Sequence, residues 1–394
     1  MSNDVVIVGA VRTPIGEFGG SLRKMAPAGL GAAVIRALLT RTGVSGEDIG
    51  QAVFGNVLQT TPRDMYLGRL AALSGGVAPH AGALTVNRLG GSGLEAVLLA
   101  AHYVASGEAE IAVGGGAETM SLAPQLLPIS PPGTPPGEAV VADTLLRGFT
   151  DPMTGVRIGE LGERIAARFK ISRQRQDAIA LSSHRRAAHA AAAGYFDTQI
   201  VPVDTGASDK AVTFTRDERV RAAVTPGYFA KFKPIFRQDG GTITAANASG
   251  FNDGAAAVLM TTARHARFHE LRPMARLIAH ARVGVMPEDM GIAPVIATRE
   301  VLRRAELRIH RMDVIELNEV FASDVGAFLR EMAIDDTRVN PNGGAIALGH
   351  PVGATGAIMV TKAVHELQRT GARYALVTTC VGGGQGIAAI FERI

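Results

Sequence analysis

The chain has 394 residues, with 40 lysines and arginines against 36 aspartates and glutamates, and a single cysteine. One cysteine excludes an intrachain disulfide framework, and the small basic excess contains no lysine- or arginine-rich tract of the kind that binds nucleic acid. No apolar stretch reaches the roughly 18 residues of a membrane span. We therefore expect a cytoplasmic protein without a membrane or nucleic-acid partner, and the start MSNDVVIVGA predicts a strand rather than a secretion signal.

The elements predicted along the chain occur in two similar series. In the first half, a strand ending at Val86 leads into a glycine turn, a helix pattern over Leu94–Ala105 and the strand EIAVGGGAE. In the second half, Val339 precedes PNGGAIALGHPVGATGA, a helix pattern over Ala357–Arg369 and the strand YALVTTCVGGGQG. Both strands are expected to end in their three glycines. This repetition indicates an internal duplication, and the alternation of strands and helices predicts an α/β fold.

The middle of the chain differs in composition. Two clear helix patterns, AGLGAAVIRALLTRT and SRQRQDAIALSSHRRAAHAAAAG, belong to the first core half and to this middle region, and the second ends at Gly194. The proline-rich stretch at 121–140 cannot continue a helix or a central strand. We predict a first core half over 1–119, completed by about 245–270, a lid over 120–244, and a second core half over 271–394. We interpret this middle region as a lid over a binding site, and the alternative is a linker whose helices have no function.

The stretch TVNRLGGSGLEAV, residues 85–97, combines a strand, a sharp glycine turn and a helix. This order presents a nucleophile at the tip of a helix, but the only hydroxyl of the turn is Ser92, which we do not assign as one. Three other polar side chains follow predicted strands or turns: Asn318 in VIELNEVFA, His350 in ALGHPVGATG and Cys380 in TTCVGGGQG. Strand ends in α/β sheets border ligand crevices. The simpler interpretations are that Asn318 caps the next helix, that His350 is structural and that Cys380 is a buried core thiol.

Seven motifs in order resemble those of the thiolase family, close to the acetyl-CoA acetyltransferases and β-ketothiolases. They are VRTPIGEFGGSL, GNVLQTTPRDMYLGR, GGGAETMS, ANASGFNDGAAA, NEVFA, NPNGGAIALGHPVGATG and CVGGGQG. The resemblance covers essentially the whole chain. It implies two similar βαβαβαββ halves in a five-layered α/β/α/β/α core, with a lid inserted from the first half.

The resemblance also implies an active site. The family's nucleophilic cysteine stands where this chain has Gly90, at a helix N-terminus that favours a thiolate. His350 would activate the nucleophile, and Cys380 would transfer the α-proton with a pKa brought near working pH. Asn318 would hold a water that forms one oxyanion hole with His350. The backbone N–H groups of Gly90 and Gly382 would form the second.

Coenzyme A is implied as substrate and product, with no cofactor and no metal. Arg221 would lie against the adenine and Ser249 would bond the pantetheine. Four further positions match pocket residues of the family: Ala245, Phe236, Phe321 and Met290. Five positions depart from the biosynthetic pattern: Arg157 for a histidine at the pantetheine, Ile158 for a methionine at the acyl pocket, Phe149 for a leucine, Val320 for an alanine and Glu95 for a glutamine. The acyl-chain preference therefore stays open.

A glycine at position 90 leaves two explanations, deliberate replacement of a cysteine or natural loss. The resemblance implies an acyltransferase of the acetyl-CoA acetyltransferase or 3-ketoacyl-CoA thiolase type. Without a residue to hold the acyl group while one CoA leaves and another enters, thiolysis should be impaired. The alternatives are decarboxylation of a CoA ester, hydrolytic retro-Claisen cleavage of a β-ketoacyl-CoA, or an acyl-CoA-binding subunit without turnover. The family resemblance further implies a homo-oligomer, a dimer of dimers joined through LQTTPRDMYLGR.

Overall fold

The computed structural model of the protein describes residues 4–127, 141–206 and 212–394. The helices and strands up to residue 119 are β1 (Val5–Arg12), β2 (Gly16–Glu17), α1 (Pro27–Thr42), β3 (Ile49–Gly55), α2 (Leu67–Ser74), β4 (Gly82–Val86), α3 (Ser92–Ser106) and β5 (Ile111–Thr119). The middle region contains β6 (Gln125–Leu126), β7 (Ala142–Asp143), α4 (Thr144–Gly148), α5 (Ile158–Arg168), α6 (Arg173–Ala192), β8 (Val203–Asp204), β9 (Thr213–Phe214) and α7 (Pro226–Ala230).

The chain then returns to the core and repeats the first series. The remaining elements are β10 (Asn252–Thr262), α8 (Ala263–Phe268), β11 (Ala275–Gly284), α9 (Ala293–Arg304), β12 (Val314–Leu317), α10 (Ala322–Met332), α11 (Ala345–Leu348), α12 (Thr355–Thr370), β13 (Tyr374–Val381) and β14 (Gln385–Arg393).

The strands of the core form one mixed sheet with an internal repeat. Its order is β12-β13-β14-β11-β1-β10-β5-β3-β4, and β2 pairs with β10. The first half contributes β4-β3-β5-β10-β1 and the second half β12-β13-β14-β11, joined by short antiparallel pairing of β1 with β11. The counterpart of β4 is reduced to a parallel bridge between Ile315 and Val339. The predicted duplication is confirmed, with one strand of the second half almost lost.

Three hydrophobic clusters divide the core into five layers. The central cluster contains apolar residues of α3 and α12 together with residues from both halves of the sheet, such as Val258 and Val377. A second cluster packs α1 and α2 on the outer face of the first half. A third packs α9 and α10 on the outer face of the second half. Helices therefore lie between and outside the two halves of the sheet, which confirms the α/β/α/β/α core that the family resemblance implies.

Two predicted helices have clear end signals. Helix α1 begins at Pro27, where a missing N–H costs nothing, and ends before Gly43 at φ 72°. Helix α6 begins after Ser172, whose hydroxyl accepts a hydrogen bond from the N–H of Arg175. Both lie within two residues of the predicted ends. Of the predicted proline-rich loop, residues 128–140 lie outside the described residues.

The first triple glycine does not end its strand as expected. Gly114–Gly116 lie inside β5, which continues to Thr119. A Cβ on Gly114 would lie 2.6 Å from the Cα of Val97, and one on Gly115 would lie 2.5 Å from the carbonyl oxygen of Ala256. The glycines are there because α3 and β10 approach the strand closely, and no turn requires them. The second triple glycine does form a turn, between β13 and β14.

A buried ion pair connects the middle region to the core. The guanidinium of Arg12, on β1, donates to both carboxylate oxygens of Asp217 at 2.8 and 3.0 Å and to Gln199 at 2.8 Å. Arg12 is fully buried. A bidentate pair of this kind fixes both position and orientation. Across the described ranges, no helix is long and apolar enough to cross a membrane.

Candidate active site

The glycine turn after β4 is held by its own polar groups. Leu89 has φ 46°, a strained value for a residue with a side chain, and the N–H of Leu89 donates to the side chain of Asn87 at 2.9 Å. The hydroxyl of Ser92 accepts from the N–H of Arg88 at 2.8 Å and donates to the carbonyl of Leu89 at 2.7 Å. Ser92 is fully buried. Its hydroxyl therefore serves the turn and is not available as a nucleophile.

The turn directs position 90 at the second half of the chain. A Cβ on Gly90 would lie 3.3 Å from the carbonyl oxygen of Cys380 and 3.8 and 3.9 Å from Cε1 and Nε2 of His350. The distance to the Cys380 carbonyl is shorter than most Cβ contacts, so a side chain at position 90 would require that carbonyl to move by a few tenths of an ångström. A side chain at position 90 would thus extend towards the imidazole. Gly382 lies behind the same turn, because a Cβ there would contact the Leu89 side chain.

His350 is held in one orientation and one protonation state. Its ring Nδ1 lies 2.7 Å from the hydroxyl of Thr355, and that hydroxyl donates its proton to the carbonyl of Pro351 at 2.9 Å. Nδ1 must then be the donor, which leaves Nε2 unprotonated and facing Gly90. Burial lowers the pKa of His350 to about 4, so the ring is neutral at pH 7. An unprotonated Nε2 can take a proton from a nucleophile.

The backbone also fixes His350. Gly349 has φ 118°, and its Cα faces the side chain of Asn252 so closely that a Cβ would lie 2.6 Å from the Asn252 Cγ. The side-chain oxygen of Asn252 accepts from the N–H of His350 at 2.9 Å. Only glycine combines this φ with this contact.

Asn318 follows β12 and lies beside His350. Its Nδ2 donates to the hydroxyl of Thr379 at 3.1 Å and lies 3.5 Å from Nε2 of His350. The second distance is at the limit of a hydrogen bond, so this N–H can serve another acceptor between the two side chains. Asn318 is 2% exposed. This geometry provides the donor that an oxyanion hole requires.

Cys380 belongs to a small cluster of buried apolar residues. It packs with Ile243, Ala248, Met290, Val320 and Phe321, and Ile158 and Phe236 border the same cluster. Burial raises the pKa of the Cys380 thiol, and the nearby carboxylate of Asp324 raises it further. The sequence led us to expect a pKa brought down towards working pH. That expectation is wrong for the folded chain, because a buried thiolate has lost its hydration and faces a carboxylate rather than a cation.

The other predicted positions do not all reach this cluster. Phe236 packs edge-on against Phe321, with ring centroids 5.9 Å apart, and the Arg157 guanidinium stacks 5.1 Å from the Phe236 ring. Ser249 donates to the carbonyl of Val320 at 3.2 Å. Three positions lie elsewhere: Phe149 stacks on Phe251 at 5.2 Å, Arg221 pairs with Glu17 at 2.8 Å, and Ala245 is exposed.

Glu95 connects the turn to the second half. Its carboxylate receives two hydrogen bonds from Arg282, at 2.7 and 2.8 Å, and lies 3.1 Å from the Nε of Arg88. A glutamine would offer one acceptor where Glu95 offers two charged oxygens. The departure at position 95 thus stabilises the glycine turn against β11 and does not line the acyl pocket.

The sequence did not indicate several supporting residues. Thr355, Thr379, Asn252 and Asp324 hold or perturb the three candidate side chains, yet each stands in a stretch typical of a helix start or a buried strand. Of these four residues, only Thr355 could have been identified from the sequence. It is the first residue of the helix that follows the GHP turn, and a hydroxyl at that position can bond back to the turn.

The structure is thus a duplicated α/β core in which the imidazole of His350 faces a glycine turn and the amide of Asn318 lies beside that imidazole, with a buried thiol on the neighbouring strand. Two family models cover almost all of the chain: "Thiolase, N-terminal domain" matches residues 5–264 and "Thiolase, C-terminal domain" matches 271–393. The chain belongs to the thiolase family.

Individual relatives agree with this assignment. The chain is 52% identical to the β-ketothiolase BktB of Cupriavidus necator over the whole of both chains. It is 43% identical to an acetyl-CoA acetyltransferase of Chromobacterium violaceum, covering 99% of this chain and all of the relative. The crystal structure of human mitochondrial 3-ketoacyl-CoA thiolase in complex with CoA superposes with a TM-score of 0.96 at 37% identity, covering 100% of this chain and 98% of the other.

The electrostatics of Cys380 can be tested directly because it is the only thiol. The pKa of Asp324 is raised by burial to about 7, so its charge opposes the thiolate mainly above pH 7. We expect Asp324→Asn to speed alkylation of Cys380 by iodoacetamide about 3- to 10-fold at pH 8.5, where one pKa unit is tenfold. The acceleration should shrink at pH 6, where Asp324 is largely protonated.

The matched control is Asp335→Asn, which makes the same change at an exposed site. It should react at the parent rate at both pH values. Equal rates for Asp324→Asn and the parent at pH 8.5 would show that Asp324 does not act on Cys380.

Proposed function

We propose that the chain is an acyltransferase of the acetyl-CoA acetyltransferase or 3-ketoacyl-CoA thiolase type, impaired in thiolysis by Gly90. The observation that carries this proposal is the position of Gly90, where a Cβ would lie 3.9 Å from Nε2 of His350 and 3.3 Å from the backbone carbonyl oxygen of Cys380. The names of the relatives supply the substrate class, thioesters of coenzyme A.

The second half of the site suits the carbon–carbon bond-forming step. The raised pKa of Cys380 keeps it a thiol at pH 7, so its proton would first pass to the unprotonated Nε2 of His350. The resulting thiolate would then be a strong base for the α-proton of an acetyl thioester. The enolate oxygen would bind to the donors organised by Asn318. His350 is neutral at pH 7 and becomes a donor once Nε2 has accepted a proton. These three side chains need no residue at position 90.

The acyl-transfer step does need such a residue. The acyl group must be held on the enzyme while one thiol leaves and another enters, and glycine offers only backbone N–H. Each oxyanion-hole donor contributes about 3 kcal/mol, whereas loss of a nucleophile costs about 10⁶-fold in a serine protease. Intact oxyanion holes cannot offset a loss of that size.

Restoring a thiol tests the proposal. We expect Gly90→Cys to raise kcat for thiolysis of acetoacetyl-CoA by at least about 10³-fold over the parent chain, because the new thiol lies beside the unprotonated Nε2 of His350. Gly90→Ala is the matched control, since it adds the same Cβ without a thiol, and it should stay at the parent rate. The rate is measured from the loss of acetoacetyl-CoA absorbance with CoA as acceptor.

Two outcomes would contradict the proposal. Thiolysis by the parent chain at the Gly90→Cys rate would mean that Gly90 does not limit acyl transfer. A Gly90→Cys variant as slow as Gly90→Ala would mean that the pocket around Ile158, Val320 and Arg157 serves another reaction.

Binding is expected even where turnover is not. Acetyl-CoA and acetoacetyl-CoA should bind the parent chain with dissociation constants below about 1 mM, or roughly −4 kcal/mol, by calorimetric titration. Arg221→Gln should weaken binding, since we propose that this half-exposed side chain lies against the adenine. The control Arg272→Gln changes an exposed arginine in the loop before β11 and should leave the titration unaltered. No heat of binding at millimolar ligand would overturn the proposal.

We also propose a homo-oligomer, a dimer of dimers, in the cytoplasm. The segment 58–69 leaves Met65 63% and Tyr66 65% exposed on a short turn ordered by Thr61 and Asp64. Exposed apolar side chains on an ordered turn favour a protein contact. The single buried thiol suits a reducing compartment.

Light scattering at micromolar concentration should therefore give a tetramer for the parent and a dimer for Met65→Ser/Tyr66→Ser. Phe268→Ser is the control, because Phe268 is 83% exposed on α8 and outside that segment. A monomeric parent would contradict the assembly, and a tetrameric double variant would contradict the role of the turn.

A further inference from the structure

A small cavity lies beside Asn318. Its walls come from the end of β12, from α11 and from α12: Ile15, Glu316, Leu317, Asn318, Gly344, Ala345, Leu348, Gly349, Thr355, Ile358, Met359 and Lys362. The cavity leaves about 20 Å³ for the centre of a water-sized sphere. About 10–15 Å³ measured in this way accommodates one water molecule.

The cavity is bordered by buried polar atoms that lack partners. Oδ1 of Asn318 and Oε1 of Glu316 accept no hydrogen bond from any described residue. Asn318 is 2% and Glu316 is 1% exposed. Such oxygens cost roughly 1–3 kcal/mol each when left unpaired, and native proteins rarely leave them so.

A donor for the same space comes from Lys362. Its ammonium lies 2.6 Å from Oε2 of Glu316 and 2.6 Å from the carbonyl of Gly343. An ammonium has three N–H groups, so one remains. Two acceptors and one donor around a space for one molecule match a water, which donates twice and accepts from Lys362.

We propose that this cavity is a binding site for one water molecule, which links the Glu316–Lys362 ion pair to the amide oxygen of Asn318. Glu316 and Lys362 are then positioning residues for the oxyanion side of the active site. The water bound to Oδ1 keeps that oxygen turned away from the imidazole. Nδ2 consequently faces Thr379 and His350, as observed at 3.1 and 3.5 Å.

The energetic reason lies in the alternative orientation of the amide. A flipped Asn318 would place Oδ1 against the unprotonated Nε2 of His350, so two acceptors would face each other. It would also place Oδ1 against Thr379, whose own proton goes to the carbonyl of Cys380 at 2.9 Å. In the flipped orientation the water would accept from both Nδ2 and Lys362, and one of its own protons would have no acceptor, whereas the observed orientation pairs both protons. The water site does not depend on the proposed function. Only the positioning role of Glu316 and Lys362 in catalysis rests on that function.

A crystal structure of the full chain at a resolution that orders internal waters tests the site. We expect one water within hydrogen-bond distance of Asn318 Oδ1, Glu316 Oε1 and Lys362 Nζ. A dry cavity, or one closed by neighbouring side chains, would overturn the proposal.

A pair of double variants tests the positioning role. Glu316→Leu/Lys362→Met removes the ion pair without leaving a buried charge, which generally preserves folding. Glu316→Gln/Lys362→Met differs from it only in keeping a polar group for the water. The readout is exchange of the acetyl-CoA α-protons in D₂O, followed by mass spectrometry.

We expect the leucine variant to lose about 10- to 100-fold in kcat for exchange with KM unchanged, by analogy with residues that orient metal ligands. The glutamine variant should recover most of that loss. Equal kcat values for the two variants would overturn the positioning role. If the parent itself neither binds nor exchanges acetyl-CoA, the proposed function fails, and crystal structures of both variants decide the inference: the water beside Asn318 should remain only with glutamine at 316, and a water present or absent in both would overturn it.

Discussion

Backbone contact between the N-terminal turns of α3 and α12 sets the distance between Gly90 and His350. A Cβ on Gly93 would lie 2.7 Å from the N atom of Ala357 and 3.0 Å from the carbonyl oxygen of Gly353, and one on Gly356 would overlap the backbone of Leu94. The two helices therefore meet without side chains between them. Since Gly90 and His350 lie just before these helices, the same contact brings position 90 within reach of the imidazole. A larger residue at Gly93 or Gly356 would separate the two halves of the site.

Hydrogen bonds to Glu118 also stabilise the contact between α3 and α12. Its buried carboxylate accepts from the N–H groups of Gly353, Val57 and Leu58 at 2.9–3.1 Å and from Asn56 at 2.9 Å. Burial raises the pKa of Glu118 to about 8, and the backbone donors oppose that rise because they bond to the charged form. The loop between His350 and α12 is thus fixed to the ends of β3 and β5, in the other half of the chain.

The sequence predicted the fold and the candidate residues better than it predicted their environment. Repeated glycine turns and helix patterns were enough for the duplication, because each half buries the same kind of helix against the same kind of sheet. The positions of Asn318, His350 and Cys380 also followed from motifs. The hydroxyls of Thr355 and Thr379 and the carboxyl of Asp324 did not, since their partners are distant in sequence or belong to another element. The direction of the Cys380 pKa was mispredicted for the same reason: burial and a neighbouring charge are properties of packing.

The two halves use equivalent positions for different purposes. Asn56 follows β3 and Asn318 follows the equivalent strand β12, while Ser92 and Thr355 begin the equivalent helices α3 and α12. In the first half, Asn56 donates to Glu118 and the hydroxyl of Ser92 closes its own turn. In the second half, the corresponding amide lies at 3.5 Å from His350, and the corresponding hydroxyl receives the Nδ1 proton of that ring. The duplicated geometry therefore supplies a rigid support from one half and the candidate active-site side chains from the other. Gly90 belongs to the supporting half, and the imidazole and amide that face it belong to the second half.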